Sequence, residues 1–188
     1  MDLQPPTPPR LTGSEPIAGT DATVLDFWKF AMSDLRTNNV RGYVAEFLVA
    51  QAVKAETARV EWDPWDVTAP DGTRIEVKSS GYLQAWAQTK LSVPTFRVAP
   101  ARGWDDATGT RTEPGFHADV YVFCLHTAKS HGHYDPLATN QWVFYVASRT
   151  AIESRDSLQM GLTTLSKVAG EPVDYPRLKG RIAAAVGR

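Results

Sequence analysis

An α/β domain is the fold class that this sequence predicts, on three observations. Helical spacing of apolar residues governs the chain to about residue 55. Short β-rich and alternating runs then dominate to about residue 147, and the C-terminus returns to a helical pattern. The bulk numbers agree with one ordered domain: 188 residues, 43% hydrophobic and 22% charged, exclude a disordered chain, a collagen-like repeat and a long coiled coil. A chain of this length buries a core without a metal or disulfide staple.

Residues 1–20 hold Pro5, Pro6, Pro8, Pro9 and Pro16 with few apolar side chains, so a flexible arm is expected there, with a single domain over 21–188. From Asp21 the pattern turns helical, with Val24, Phe27, Trp28 and Met32 on one face. A second helix is expected from Asn38 or Asn39, as N-cap, to about Ala55. Val60–Trp62 and Trp65–Thr68 read as short strands, Pro70-Asp-Gly72 as a tight turn, and Thr73–Ser79 as the returning strand of a hairpin. Tyr82–Lys90 allows a helix and Leu91–Val98 a strand, while residues 100–116 read as a long loop or arm. Ala118–Leu125 and Gln141–Ala147 are buried strands, separated by a polar loop containing His126, His131 and His133. Tyr175–Val186 closes the chain as a helix.

Several function classes drop out. No apolar run reaches the ~18–20 residues that span a bilayer, and the opening MDLQPPTPPR lacks the apolar stretch of a signal peptide. A single cysteine, Cys124, forms no internal disulfide, so a cytoplasmic setting is expected. The three histidines have no partners at structural-zinc spacing and read as a loop. Trp86, Trp104 and Trp142 read as core before they read as base-stacking platforms. The formal charge is −1, but it is unevenly spread: residues 1–73 carry −5, 74–112 carry +3, 113–148 carry −2 and 149–188 carry +3. A polyanion would therefore be met by local basic segments, with Lys90, Arg97, Arg102 and Arg111 as candidates in the first. So few contacts per chain imply weak binding, which a homodimer would double.

The chemistry centres on Glu46, Asp66, Glu76 and Lys78. Glu46 is the lone acid of Val40–Val53, and its helical neighbours Gly42, Tyr43, Val49 and Ala50 are uncharged. A carboxylate so placed faces a cleft or salt-bridges a core arginine such as Arg41. Glu76 and Lys78 point to one face of their strand, Ile75 and Val77 to the other. Taken alone, that is the pattern of a half-exposed strand. Together with Asp66 across the turn, it offers a hard divalent cation two carboxylates and the Val77 carbonyl, the remaining positions being water. Lys78 then holds or deprotonates a water, or stabilises charge developing on a phosphate. Glu46 ligates through water or takes a second ion. Phosphodiester hydrolysis suits this set.

The order Glu46, Asp66 and Glu76-Val77-Lys78 resembles the PD-(D/E)XK nuclease superfamily, with its restriction-endonuclease-like fold. Pro64 stands one residue earlier than the family name requires, with Trp65 between it and Asp66. The EVKSS and ADVYVF segments are similar to those of bacterial members. The resemblance covers roughly residues 38–125 and implies a mixed β-sheet flanked by helices. It further implies a Mg²⁺-dependent nuclease (Mn²⁺ substituting) that acts on DNA before RNA. By the same resemblance Asp66, Glu76 and Val77 hold the metal with Glu46, the four charged residues are catalytic, and Gln84 contacts substrate. Two alternatives stay open: an inactive nucleic-acid-binding or scaffold protein on the same fold, and a hydrolase of small phosphate esters.

Overall fold

The computed structural model describes residues 9–56, 63–105, 110–111, 113–155 and 157–186, with the backbone alone at 104–105 and 110–111. The chain divides into two compact units, residues 1–35 and 36–188. In the first, Glu15 accepts from the Thr12 and Gly13 amides, and Pro16 bridges to Thr23. Helix α1 (Val24–Met32) starts at a capping box in which Thr23 and Asp26 satisfy each other's free amides.

The second unit begins with α2 (Asn38–Val53). Its N-cap is Thr37, one residue before the two asparagines expected in that role, and no side chain caps the helix there. Lys54 ends it in the left-handed conformation, its N–H donating to Ala50 and Gln51. The expected strand Val60–Trp62 lies outside the described residues. β1 (Val67–Thr68) and β2 (Arg74–Gly81) form the expected antiparallel hairpin. In its turn the Gly72 amide donates to Ala69 O at 2.9 Å and Gly72 adopts a φ of 85°, open to glycine at little cost.

The segment expected to allow a helix, Tyr82–Lys90, is a loop. Gln88 displaces helical hydrogen bonding, because its side chain accepts from the Gln84 amide and donates to the carbonyls of Tyr82 and Lys90. Within Leu91–Val98 only β3 (Thr95–Arg97) is strand. The expected loop at 100–116 instead contains an antiparallel pair, β4 (Trp104–Asp105) and β5 (Thr110–Arg111), followed by an Ala101–Gly115 bridge. β6 (Val120–His126) is buried at every position, and β7 (Trp142–Ser148) nearly so. His126 thus belongs to a core strand and not to the polar loop: fully buried, it stacks on Tyr134 at 4.2 Å and meets Trp142 edge-on at 4.9 Å. His131 and His133 lie exposed in a 3₁₀ turn. Beyond come α3 (Arg149–Glu153), β8 (Gln159–Gly161), α4 (Leu162–Ala169) and α5 (Tyr175–Ala185).

The main sheet is mixed and open, in the order β1-β2-β6-β7: β2 and β6 are parallel, the outer pairings antiparallel. Strand alternation sends Ile75, Val77, Val122 and Phe144 to one face, where Leu48 and Val49 of α2 and Leu178 and Ile182 of α5 cover them. Tyr121, Phe123 and Tyr145 point to the other, against Phe96 of β3, Met160 of β8 and Leu165 of α4. The result is an α/β domain with helices on both sheet faces.

Candidate active site

The short β1 creates the site. It pairs with β2 at Val67–Ile75 and Thr68–Arg74, and among the described residues no strand pairs with this edge of β2 from Glu76 onward. Asp66 sits immediately before β1, its N–H donating to Ile75 O at 3.0 Å. Its Oδ2 accepts from the Val77 N–H at 2.7 Å, filling the position that a longer strand would have taken. A residue's N–H and C=O leave a strand by the same edge, so the Val77 carbonyl is presented beside Asp66.

Glu76 and Lys78 emerge from β2 over Tyr121 and Phe123, their register partners on β6. The two form an ion pair, with side chains 18% and 35% exposed. Burial raises the Glu76 pKa above its ordinary value and the Asp66 charge adds to that rise, against the opposing pull of Lys78 and His117. For Lys78, burial works downward, but Glu76, Asp66 and Glu46 together outweigh it and hold the amine protonated above its usual range. Glu46, half-buried on α2, therefore directs its charge at the same place. Asp66 and Glu46 also act on the fully buried Cys124 thiol, whose pKa burial pushes well up. The two carboxylates and the ammonium expected to work together are within each other's electrostatic reach, and Glu46 joins them.

The donor chemistry fits a hard divalent cation. Asp66 and Glu76 repel one another in a half-buried setting, a repulsion that a cation between them would relieve, and both offer oxygen. Among the described residues no group of three His, Cys, Asp or Glu converges as a ready cage. An ion here would keep waters, as Mg²⁺ does when bound through one or two carboxylates.

The remaining expected residues are more dispersed. Gln84 is buried in the loop after β2. Lys90, Arg97 and Arg102 are exposed on the connection between β2 and β6, and the Arg111 backbone lies on β5. Lys90, Arg97 and Arg102 are not among the principal charges acting on Glu76 or Lys78. Trp142 is core, donating to Pro136 O at 3.0 Å, whereas Trp86 is 58% exposed. Arg41, suggested as a partner for Glu46, instead donates to Leu83 O at 2.9 Å and Asn38 Oδ1 at 2.7 Å. Sequence reasoning missed His117, whose ring nitrogen contacts Ala101 O at 2.8 Å while its charge reaches Glu76. No local pattern announces a histidine so far along the chain from its target.

The family model of bacteriophage T4 endonuclease IV matches residues 15–162. This chain belongs to that family. No curated protein matches it. The part matching the endonuclease IV family includes Glu46, Asp66, Glu76 and Lys78 and the whole main sheet, and ends at the start of α4. Membership makes the chain one of a family of endonucleases, hydrolases of phosphodiester bonds. Among the described residues no helix is long and apolar enough to cross a membrane.

Proposed function

We propose that the chain is a Mg²⁺-dependent DNA endonuclease built on a PD-(D/E)XK core. One observation carries the reading: Asp66, locked onto the Val77 amide, stands at the β1 side of β2 beside the Glu76–Lys78 pair. The sheet order supports it, since a hairpin strand followed by a parallel and then an antiparallel neighbour is the mixed sheet the motif implies. Membership in an endonuclease family favours an active enzyme over a scaffold.

In the reaction a water oxygen bonds to phosphorus, one P–O ester bond breaks, and a phosphate monoester and an alcohol leave. Asp66, Glu76 and the Val77 carbonyl would hold the cation. Bound there, it supplies Lewis acidity toward the phosphoryl oxygen and makes a neighbouring water more acidic. Lys78, kept protonated by three carboxylates, acts as a cation and hydrogen-bond donor toward the phosphoryl oxygens, where charge grows in the transition state. Glu46 helps to keep Lys78 charged from the α2 side. Incubation of supercoiled plasmid with the full chain in Mg²⁺, Mn²⁺ or EDTA tests the reading. Nicking in the first two and none in EDTA is expected; metal-independent cutting, or none in either metal, contradicts it.

A further inference from the structure

At the C-terminal end of β2, next to Lys78 in the chain, lies a second cavity of about 420 Å³, within the range of ligand pockets. Asn38 and Arg41 of α2 form one wall, Ser79 of β2 another, and Gln84, Ser92 and Thr95 the third. Two of its polar side chains are deeply buried: Arg41 is 4% exposed and Gln84 9%. Gly81 keeps the floor open, since a Cβ there would stand 3.3 Å from the Arg41 guanidinium.

Hydrogen bonding holds both side chains in place yet leaves each with one group over. Arg41 spends its terminal nitrogens on Leu83 O and Asn38 Oδ1, and its Nε is buried with no partner among the described residues. Gln84 donates from Nε2 to Ser92 Oγ at 3.1 Å, while its Oε1 is likewise buried without a partner. A buried donor and a buried acceptor, both unmet and both lining one cavity, are costly unless a ligand supplies the complement. A phosphate satisfies Arg41 but offers Gln84 Oε1 no proton. A nucleobase offers an acceptor and an N–H donor side by side on one edge.

We propose that this cavity receives one nucleobase of the substrate strand, with Arg41 Nε donating to its acceptor and Gln84 Oε1 accepting from its N–H. The identity of the ligand as nucleic acid rests on the nuclease reading. The cavity reaches β2 at Ser79, the residue after Lys78 in the chain. Arg41 and Gln84 then set which base the cavity holds.

The experiment measures binding of the full chain, in Ca²⁺, to five single-stranded twelve-mers. One is wholly abasic, and each of the others is abasic except for a central A, C, G or T. Wild type should bind one or two of the single-base strands about tenfold or more tighter than the abasic strand, as a two-point base contact provides. Gln84→Met, which keeps the volume and removes the acceptor, should bring that ratio below about twofold. As a measurement free of any variant, amide resonances of Gly81, Gln84 and Ser92 in wild type should move with the preferred strand and not with the abasic one. Equal affinity for all five strands, a ratio untouched by Gln84→Met, or identical amide shifts with the abasic strand would overturn the proposal. Plasmid nicking by the same preparation reads the other claim separately. Nicking without base preference removes the pocket and leaves the nuclease, whereas base preference without nicking does the reverse.

Discussion

Asp119 ties together the strands that carry the site, and replacing it by alanine should cost about 2–3 kcal/mol, midway between exposed and buried pairs. Its carboxylate accepts from the Arg74 backbone N–H and Nε at 3.0 Å each, from Arg74 Nη2 at 2.7 Å and from Arg149 Nη2 at 2.6 Å. Arg74 in turn lies over the Trp65 ring, 5.3 Å from its centroid, and Trp65 precedes Asp66. Hydrogen bonds to a buried charge contribute roughly 1.5–3 kcal/mol each. Here the side chains of Asp119, Arg74 and Arg149 are 30%, 36% and 34% exposed, so both guanidinium groups regain water and most of that gross value is lost. At roughly 2–4 °C per kcal/mol for a chain of this size, melting should fall by about 4–12 °C at pH 7. The hydrogen bonds from Arg74 hold the Asp119 pKa below its ordinary 3.8. Its stabilisation is therefore present above pH 3.8 and lost as pH falls through the lower folded-state value. Melting curves of wild type and Asp119→Ala from pH 7 downward should converge in acid. A difference under about 1 °C at pH 7, against the scale set above, or a gap constant with pH refutes the reasoning.

Three further outcomes follow from the site. In metal-free protein Glu76 should titrate above 4.5, because burial and the Asp66 charge disfavour its ionised form. Its contribution to stability is then full below pH 4.5 and lost as pH rises through the folded-state value; carboxyl-carbon resonances should show Mg²⁺ drawing that midpoint down. Calorimetric titration of Mg²⁺ or Mn²⁺ should give heat with wild type and none with Asp66→Ala, and equal binding by the two removes Asp66 from the metal site. Cys124, fully buried and with its thiol pKa raised, should resist a disulfide reagent in the native state and react on unfolding.

How much of this was legible depended on whether the deciding interaction was local. The β1–β2 hairpin could be read because Pro70-Asp-Gly72 is a short-range signal, and β6 because a central strand buried on both faces is continuously apolar. Tyr82–Lys90 misled because its helix-compatible residues are held as a loop by one side chain, Gln88. Strand β8 and helix α4 had no reading from the sequence: Gln159–Gly161 is three residues long and Leu162–Ala169 eight, and both owe their place to packing on β3 and β7. At the site, strand alternation sufficed to put Glu76 and Lys78 on one face, and a turn brought Asp66 beside them. Arg41 with Gln84, and His117 with Glu76, come together only through the fold, so no spacing rule points to them.

Lys78→Met against wild type, assayed as the rate of plasmid nicking in Mg²⁺ at neutral pH, tests the central claim most directly. Methionine keeps most of the apolar stem of the side chain and removes the charge together with its N–H donors. Losing a preorganised cation aimed at the transition state should slow cleavage by roughly 10²–10³-fold. Mg²⁺ binding, which rests on Asp66 and Glu76, should survive in a folded variant. A Lys78→Met protein that nicks DNA at the wild-type rate would reduce Lys78 to a structural partner of Glu76 and contradict the account.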